Sequence, residues 1–386
     1  MRLVADWVHA SATVAIMDLL GRGGHGAWFV GGCVRNALLG RSVADIDIAT
    51  DLHPDAVMRL AQDAGIKAVP TGIEHGTVTL VVDHRPFEVT TLRRDLATDG
   101  RRATVAFTAD LAEDAARRDF TMNALYAQAD GRVIDPTGEG LTDLAARRLR
   151  FIGNPDDRIA EDYLRILRFF RFHAWYADPN AGIDAEGLAA CAALAHGLEQ
   201  LSRERVGAEI KKLLAAPDPA PAVAAMAQAG ILARVLPGAT ATVLPVLIAC
   251  EAAPPNPIRR LAALGPAGIA AELRLSRAES AQLDLLRDGM ESAAPPGALA
   301  YMYGAATAWD IVVLRASQFQ TPVDPSARAQ IARGAAAVFP VKAADLMPGL
   351  SGAELGRALN ALEARWIASD FTLGRAALLA PHTGSE

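Results

Sequence analysis

The chain contains few cysteines, and they lie far apart. Its 386 residues include three, Cys33, Cys191 and Cys250, and none of them forms a Cys-x-x-Cys pair. A zinc ribbon needs such pairs, and a disulfide framework needs a dense, even set of cysteines. The sequence therefore supports neither framework, and it predicts reduced thiols in a cytoplasmic protein.

Long apolar runs are missing as well. The longest stretches, such as residues 239–250, are shorter than the roughly 20 residues that cross a bilayer. Residues 1–20 carry charges and an amphipathic period, in place of the basic start and continuous apolar run of a signal peptide. We therefore predict a cytoplasmic protein with no membrane partner.

An excess of positive charge is also lacking. The chain has 38 Lys and Arg residues against 44 Asp and Glu residues, which gives a net charge of −6. A nucleic-acid partner would thus depend on the local placement of arginines. The candidates are doublets at Arg93-Arg94, Arg101-Arg102, Arg117-Arg118 and Arg147-Arg148. A single doublet outside a motif is more often a solvated surface.

The pattern of predicted secondary structure changes near residue 150. The first part alternates short strands with helices, and the part after Asn154-Pro155 is helical and rich in Ala and Leu. A chain of this length that is 51% hydrophobic can bury more than one core. We predict an α+β fold with a head containing a small mixed β-sheet (residues 1–150), a helical neck (151–215), and a helical body and tail (216–386).

The strongest functional pattern lies in residues 29–50, FVGGCVRNALLGRSVADIDIAT. Gly31-Gly32 follows a predicted buried strand and precedes a helix, a position where backbone N–H groups bind anions, and Arg35 adds a guanidinium. Asp45 and Asp47 lie two residues apart on a predicted strand, so both carboxylates can reach shared divalent cations. Each motif alone is more often a plain turn or an acidic strand end. Their order and spacing favour a phosphate and metal site.

Two further segments supply candidate ligands. Residues 76–82 and 87–92 are predicted strands, and Glu88 is a candidate third carboxylate, with an exposed sheet glutamate as the alternative. In RRDFTMNAL, residues 117–125, the spacing of Arg118, Asp119 and Asn123 can place them on one side of a helix start. There Arg118 can pair with phosphate, Asp119 can accept from a ribose hydroxyl, and Asn123 can cap the helix or contact the sugar. The alternative is a helix N-cap formed by Asp119.

A third segment carries paired charges. Glu161, Asp162, Arg165 and Arg168 recur at spacings of three and four residues, so a helix would place them on one face. A carboxylate beside a guanidinium offers acceptors and donors that can match the edge of a base. The alternative is an exposed ladder of ion pairs, worth a few tenths of a kcal/mol per pair.

Together these motifs resemble the bacterial tRNA nucleotidyltransferase family, which contains CCA-adding enzymes and bacterial poly(A) polymerases. The resemblance covers residues 29–50, 117–125, 157–172 and 202–213, in that order. The family usually has Asp after the motif arginine, whereas this chain has Asn36, which removes a charge near the helix start.

The resemblance implies a chemistry and a set of site residues. It implies Mg²⁺-dependent addition of C, C and A to the tRNA 3′ end from CTP and ATP, with no nucleic-acid template and no protein partner evident. The implied catalytic and metal-binding residues are Asp45 and Asp47, with Glu88 as a third carboxylate. The implied nucleotide-binding residues are Gly31, Gly32, Arg35, Arg118, Asp119, Asn123, Asp162, Arg165 and Arg168.

Other members of the family remain alternatives. Residues 93–102, RRDLATDGRR, resemble the flexible loop of CCA-adding members, which favours CCA addition over poly(A) synthesis. Addition of only C or only A, or a non-catalytic RNA-binding role, also stays open. None of the eight histidines is followed by Asp, which argues against an additional phosphohydrolase domain. Arg203, Arg205, Lys211 and Lys212 are candidate contacts to tRNA phosphates.

Overall fold

The computed structural model describes residues 1–99, 102–252, 254–265, 268–347 and 349–380, with side chains for all of these except 96–99 and 102–104. The chain forms two compact units, Met1–Pro237 and Gly238–Glu386. The domain boundaries predicted at residues 150 and 215 both lie inside the first unit.

The first unit contains the β-structure. Its described strands are β1 (Ala27–Val30), β2 (Asp47–Thr50), β3 (Lys67–Gly72), β4 (Thr77–Val82), β5 (Arg85–Thr91), β6 (Arg93–Asp99), β7 (Arg102–Phe107), β8 (Tyr126–Ala127) and β9 (Val133–Ile134). Seven of them form one sheet in the order β3-β4-β5-β2-β1-β8-β9, and β6 pairs with β7 in a separate hairpin. In the large sheet, β2 and β5 run parallel and the other described neighbours run antiparallel. The predicted mixed sheet is confirmed.

Helices make up most of the rest of this unit. They are α1 (Ser11–Leu20), α2 (Gly32–Leu38), α3 (Pro54–Asp63), α4 (Leu111–Ala116), α5 (Gly140–Ala145), α6 (Pro155–Glu161), α7 (Leu164–Tyr176), α8 (Ala185–Ala193), α9 (Arg203–Leu214), α10 (Ala220–Gln228) and α11 (Ile231–Val235). The change from sheet to helices after residue 150 agrees with the predicted α+β fold class, which is confirmed.

Alternating burial fixes the register of the central strands. Phe87 and Val89 on β5 are each 1% exposed, whereas Glu88 between them is exposed. On β2, Ile48 is fully buried. Because side chains alternate between the two faces of a strand, burying these apolar residues brings Glu88 to the opposite face. The turn between β4 and β5 contains Asp83 and His84, both with positive φ, as a tight two-residue hairpin requires.

A cluster of aromatic rings fixes α7 against the head. Phe120 lies 4.9 Å from Phe151 and 5.1 Å from Phe172, measured between ring centroids. Phe151 also stacks on Phe169 at 5.4 Å. Such contacts bury large apolar surfaces in tilted or offset geometries. The cluster therefore holds the segment around residue 120 beside the helix that carries Arg165 and Arg168.

The second unit is helical in its described residues. Its helices are α12 (Leu244–Cys250), α13 (Pro257–Leu264), α14 (Ile269–Glu272), α15 (Arg277–Glu291), α16 (Pro296–Tyr303), α17 (Ala305–Phe319), α18 (Ala327–Ala336), α19 (Gly352–Ala368) and α20 (Arg375–Leu379). A Cβ at Gly334 on α18 would lie 1.9 Å from the Gly297 carbonyl oxygen on α16, so close helix packing requires glycine there. No helix in the described part of the chain is long and apolar enough to span a membrane.

A buried ion cluster joins three segments of the second unit. Arg259 on α13 pairs with Asp310 on α17 at 2.5 Å and with Glu251 at 2.9 Å. Arg260 binds the other oxygen of Glu251 at 2.7 Å. Both arginines are at most 2% exposed. Removing one partner from such a cluster leaves a charge buried without full compensation.

We expect Asp310→Ala to lower the free energy of unfolding by about 3 kcal/mol, because it leaves Arg259 short of a carboxylate in the core. Urea unfolding followed by circular dichroism measures the effect. Asp284→Ala removes an exposed carboxylate from α15 of the same unit, and we expect it to change stability by less than about 0.5 kcal/mol. Equal effects of the two substitutions would show that the cluster contributes no specific stability.

Candidate active site

The Gly31-Gly32 turn joins β1 to α2. Gly31 has φ +68, and a Cβ there would lie 3.4 Å from the Arg118 guanidinium. Positive φ is readily adopted only by glycine. The Gly31 N–H donates to the Leu125 carbonyl at 3.1 Å, so this amide is already occupied. The Arg35 N–H donates to the Gly31 carbonyl at 3.0 Å, so the amides that can face a ligand are those of the first turn of α2, residues 32–34.

The structure brings the carboxylates together at one sheet edge. Asp47, the first residue of β2, is directly in register with Glu88 on the parallel neighbour β5, so the two side chains share a face. The predicted placement of Asp45 on the same strand is wrong. β2 begins at Asp47, and Asp45 lies exposed in the preceding loop.

The electrostatics of Asp47 show that these acids lie near one another. Burial, together with the negative charges of Glu88 and Asp45, raises the pKa of Asp47 to about 6, against the opposing charges of Arg118 and Arg35. A carboxylate whose neighbours oppose its ionisation is stabilised by a bound cation. A divalent metal ion bound here would reduce the repulsion between these three acids.

The carboxylate oxygens around Asp47 fit Mg²⁺ that is also bound by a substrate phosphate. Within the described residues, no group of three or more His, Cys, Asp or Glu side chains is arranged to hold a metal ion by itself. Mg²⁺ is usually bound through one or two carboxylates, with substrate phosphates and water completing its octahedron. Oxygen donors from Asp47, with Asp45 and Glu88 nearby, therefore fit a magnesium ion that arrives with a nucleotide.

Arg35 is buried among neutral partners. It donates to the Asn123 side-chain oxygen at 2.5 Å, to the Asn36 side-chain oxygen at 2.9 and 3.1 Å, and to the Tyr176 hydroxyl at 2.8 Å. Its guanidinium carbon lies 4.0 Å from the Tyr176 ring centroid. Burial lowers the pKa of Arg35. Asn36 thus supplies the acceptor geometry of a carboxylate without its charge, which leaves the positive charge of Arg35 available to an anion.

The RRDFTMNAL segment is not the helix start that its spacing suggested. α4 ends at Ala116, and only a short 3-10 turn follows at Thr121–Asn123. Asp119 is 7% exposed and both of its oxygens are engaged. One accepts from the Phe120 N–H and the Asn123 side-chain amide, at 2.8 and 2.9 Å, and the other accepts from Arg168. Asp119 therefore orients Asn123 and Arg168 in this state.

Asp162 interrupts the predicted helix. Glu161, Asp162, Arg165 and Arg168 do not share one helical face, because α6 ends at Glu161 and Asp162 is extended, with φ −155 and ψ 106. The Asp162 carboxylate accepts from the Leu164 N–H at 3.1 Å and from Arg205 at 2.7 Å. A side chain that caps the following helix competes with helical continuation, and this is why the prediction failed.

Arg165 is held by contacts from both sides of the break. One terminal nitrogen donates to the Arg158 carbonyl at 2.9 Å and to the Glu161 carboxylate at 2.6 Å, and the other donates to the Arg117 carbonyl at 2.9 Å. Three of the five N–H donors of the guanidinium are thereby used. Within the described residues, the other two donors have no hydrogen-bond partner, and the three bonds give them a fixed orientation.

These groups surround one cavity of about 600 Å³. Predicted site residues lining it are Gly31, Gly32, Arg35, Asp47, Arg118, Asp119, Asn123, Asp162, Arg165 and Arg168. Asp45 and Glu88 are not among the lining residues. The lining also includes Arg93, Arg117, Leu164, Phe172 and Arg205, which were not predicted nucleotide ligands. Seven arginines against three aspartates make the cavity cationic, although the whole chain has a net charge of −6.

Three of these additional residues had weak signals in the sequence. Arg93 and Arg117 belong to doublets that were candidates for RNA binding. Arg205 was a candidate for tRNA phosphates, and its position on α9 beside Asp162 follows only from the tertiary structure. Of residues 93–102, which resemble a flexible loop, residues 93–99 form β6 and Arg102 begins β7, whereas Gly100 and Arg101 lie outside the described residues.

Comparison with known proteins gives two family matches. Residues 27–150 match the model described as the poly A polymerase head domain. Residues 182–242 match the model described as the probable RNA and SrmB-binding site of polymerase A.

Several named relatives are similar to part of this chain. It is 42% identical over 201 residues to CCA tRNA nucleotidyltransferase 1, mitochondrial, from Mus musculus, a match covering 52% of this chain and 46% of the relative. It is 43% identical over 204 residues to the CCA-adding enzyme of Streptococcus gordonii, covering 52% and 49%. The chain thus spans about half the length of the curated relatives it matches.

Solved structures extend the similarity over more of the chain. The crystal structure of the Bacillus stearothermophilus CCA-adding enzyme in complex with CTP aligns with a TM-score of 0.77 and 28% identity, covering 93% of each chain. The Thermotoga maritima CCA-adding enzyme complexed with tRNA aligns with a TM-score of 0.71 at 16% identity, a likeness of fold alone.

Proposed function

We infer that this chain belongs to the nucleotidyltransferase family of CCA-adding enzymes and poly(A) polymerases, and we propose that it adds C, C and A to tRNA 3′ ends from CTP and ATP. The observation that carries this proposal is the arginine-rich cavity whose wall contains Asp47, in register with Glu88. A triphosphate is an anion, and seven lining arginines provide the charge that binds it. The reaction class then follows from the adjacent carboxylates.

The proposed reaction joins the RNA 3′-hydroxyl oxygen to the α-phosphorus of the nucleotide as the bond to the β-phosphate oxygen breaks, and pyrophosphate leaves. Arg35 and Arg118 hold the phosphates, with the amides at Gly32, so that attack is in line. Asp45, Asp47 and Glu88 would hold Mg²⁺. When bound, Mg²⁺ supplies a lower pKa for the attacking hydroxyl and charge stabilisation for the leaving group.

Base choice is proposed to depend on Asp162 and Arg165. An ionised carboxylate only accepts hydrogen bonds, so Asp162 fits the exocyclic amino group that cytosine and adenine share. Uracil and guanine carry a carbonyl at the same position and would meet a second acceptor. The two unused donors of Arg165 fit ring acceptors of the base. Arg168 and Asn123, both oriented by Asp119, complete the proposed nucleotide site.

The rest of the chain has a proposed role in binding tRNA. We assign the catalytic head to residues 1–150, the base-recognition neck to 151–215, and tRNA binding to the helical body and tail, residues 216–386. Arg203, Lys211 and Lys212 on α9 remain candidate contacts to tRNA phosphates. A cytoplasmic location is part of the same proposal.

Incorporation assays with defined RNAs test the function. A tRNA transcript lacking its terminal CCA is incubated with Mg²⁺ and CTP, ATP, or both, and the products are sequenced. We expect two C residues with CTP alone and CCA with both nucleotides. An unstructured RNA of equal length should be a poor substrate.

The same assay separates the alternatives. Efficient ATP tailing of the unstructured RNA would identify a poly(A) polymerase. Products that stop after C, or that form only on tRNA already ending in CC, would identify a member restricted to one nucleotide. RNA binding without release of pyrophosphate would identify a non-catalytic relative.

A further inference from the structure

A buried carboxylate that the proposed chemistry does not use lies behind the cavity. Asp114, in the first turn of α4, is 1% exposed. One of its oxygens accepts from Arg117 at 2.7 and 2.9 Å, and the other accepts from Arg118 at 2.9 and 3.2 Å. The Tyr126 hydroxyl donates to the same oxygen as Arg118, at 2.6 Å.

These donors hold Asp114 firmly in its ionised form. Burial by itself would raise the pKa of Asp114, but Arg118, Arg117 and the Tyr126 hydrogen bond lower it well below its usual range. Two guanidiniums share this one carboxylate, so the cluster keeps a net positive charge. Both arginines also line the cavity. Asp114 therefore fixes their positions without cancelling their charge.

The same carboxylate is bonded to the beginning of the β6–β7 hairpin. The backbone N–H of Arg93, the first residue of β6, donates to Asp114 at 3.2 Å. Arg117 donates back to the Arg93 carbonyl at 3.1 Å. The peptide groups on both sides of Arg93 are thus bonded to the cluster formed by Asp114 and Arg117.

The Arg93 side chain enters the same cavity. Its guanidinium donates to the His75 carbonyl, while its Nε is buried and, within the described residues, has no hydrogen-bond partner. Burial and the charges of Arg117 and Arg118 lower the pKa of Arg93 to about 10. A buried donor without a partner is costly, and an anion in the cavity would relieve that cost.

We propose that Asp114 is a positioning residue that couples the first residue of the β6–β7 hairpin to the phosphate-binding Arg118. Through this one carboxylate, the position of the hairpin and the position of Arg118 depend on each other. The inference rests on the proposed function for the identity of the ligand, a nucleoside triphosphate. It adds a coupling between the hairpin and the nucleotide site.

The test compares two Asp→Asn substitutions in one segment of chain. Asp114→Asn keeps the shape of the side chain but turns one acceptor into a donor facing an arginine. Asp110→Asn alters the exposed N-cap of the same helix, which Asn also caps well. We expect Asp114→Asn to raise KM for CTP and ATP together by about 10- to 100-fold, with a smaller change in kcat, and Asp110→Asn to match the wild type.

Two further readouts separate positioning from general stability. Hydrogen exchange of backbone amides in β6 and β7 should become faster in Asp114→Asn, while exchange in β1 and β2 stays unchanged. In an Arg118→Lys background, Asp114→Asn should raise KM by less than threefold, because the residue through which it acts is already altered. Tyr126→Phe removes one donor without removing a charge, and it should give an effect in the same direction and smaller.

Certain outcomes would overturn the coupling. One is a lower melting temperature for Asp114→Asn while KM and the hydrogen exchange of β6 and β7 stay unchanged. The other is an equal rise in KM when Asp114→Asn is made in the wild type and in the Arg118→Lys background. If Asp114→Asn fails to fold, Tyr126→Phe decides by the same readouts. A wild-type protein that incorporates neither nucleotide refutes the proposed function, whereas hairpin exchange and equilibrium binding of CTP still test the coupling.

Discussion

Asp47→Asn is expected to lower CMP incorporation into tRNA by at least about 10³-fold while the protein stays folded. The substitution removes a negatively charged oxygen donor from the wall of the cavity but keeps the size of the side chain. Loss of metal-assisted charge stabilisation is worth several kcal/mol, and about 4 kcal/mol corresponds to a thousandfold in rate. Incorporation of radiolabelled CMP at saturating CTP measures the effect.

The same substitution should stabilise the protein in the absence of divalent cations. The pKa of Asp47 is raised to about 6 in the folded state, against about 3.9 for an unfolded aspartate. The folded state therefore binds more protons between these values, and its stability falls as the pH rises from about 4 to above 6. The neutral amide avoids this loss, which is on the order of 3 kcal/mol at neutral pH.

Thermal unfolding in EDTA across this pH range measures the difference. The gain of Asp47→Asn over the wild type should grow from pH 4 to pH 6 and then level off. Addition of Mg²⁺ with CTP should stabilise the wild type more than the variant, because the ligand binds only the folded state. Asp63→Asn, which changes an exposed residue at the end of α3, is the matched control and should behave as the wild type. Full activity in Asp47→Asn would refute the assignment of the metal site.

Asp162→Asn is expected to lower the preference for CTP over UTP by about 10³-fold. A site that hydrogen-bonds a polar group of its substrate rejects the wrong partner by 10⁴–10⁵, and the amide supplies a donor that a uracil carbonyl can use. Asn still accepts from the Leu164 N–H and so keeps the cap of α7. The ratio of kcat/KM for the four nucleoside triphosphates measures the change.

Arg165→Ala serves as the partner substitution, since it removes donors to the base while leaving Asp162 in place. Both variants should bind tRNA within about threefold of the wild type in a filter-binding assay. An unchanged order of nucleotide preference in both would show that base selection lies elsewhere in the cavity. A parallel loss of tRNA affinity would point to a role in RNA binding instead.

The alternation of apolar and polar residues predicted where the carboxylates of the β-sheet lie. The alternation of apolar and polar residues along 87–92 predicted that Glu88 lies on the strand face opposite Phe87 and Val89. The register of the strands then places Glu88 beside Asp47. The prediction failed where side chains compete with the backbone. A spacing of three and four residues cannot reveal that Asp162 caps α7, nor that Asp119 binds the Phe120 N–H in place of starting a helix.

The sequence did not predict which residues far apart in the chain bind one another. Asp119 pairs with Arg168, Asp162 with Arg205, and Asp114 with the N–H of Arg93. Each pair forms because the sheet, the aromatic cluster and α9 bring the groups together in space. Spacing along one segment shows only which residues can share a helix or strand.

The sequence by itself determined the fold class, the resemblance to a family and ten of the fifteen residues that line the cavity, because backbone propensity, apolar periodicity and ordered motifs are properties of short segments. Only the tertiary structure decided which charges remain available to a ligand. Ion pairs form between groups that are close in space, and each pair occupies donors and acceptors that a ligand could otherwise bind. A chain with a net charge of −6 can therefore still enclose a cavity lined by seven arginines.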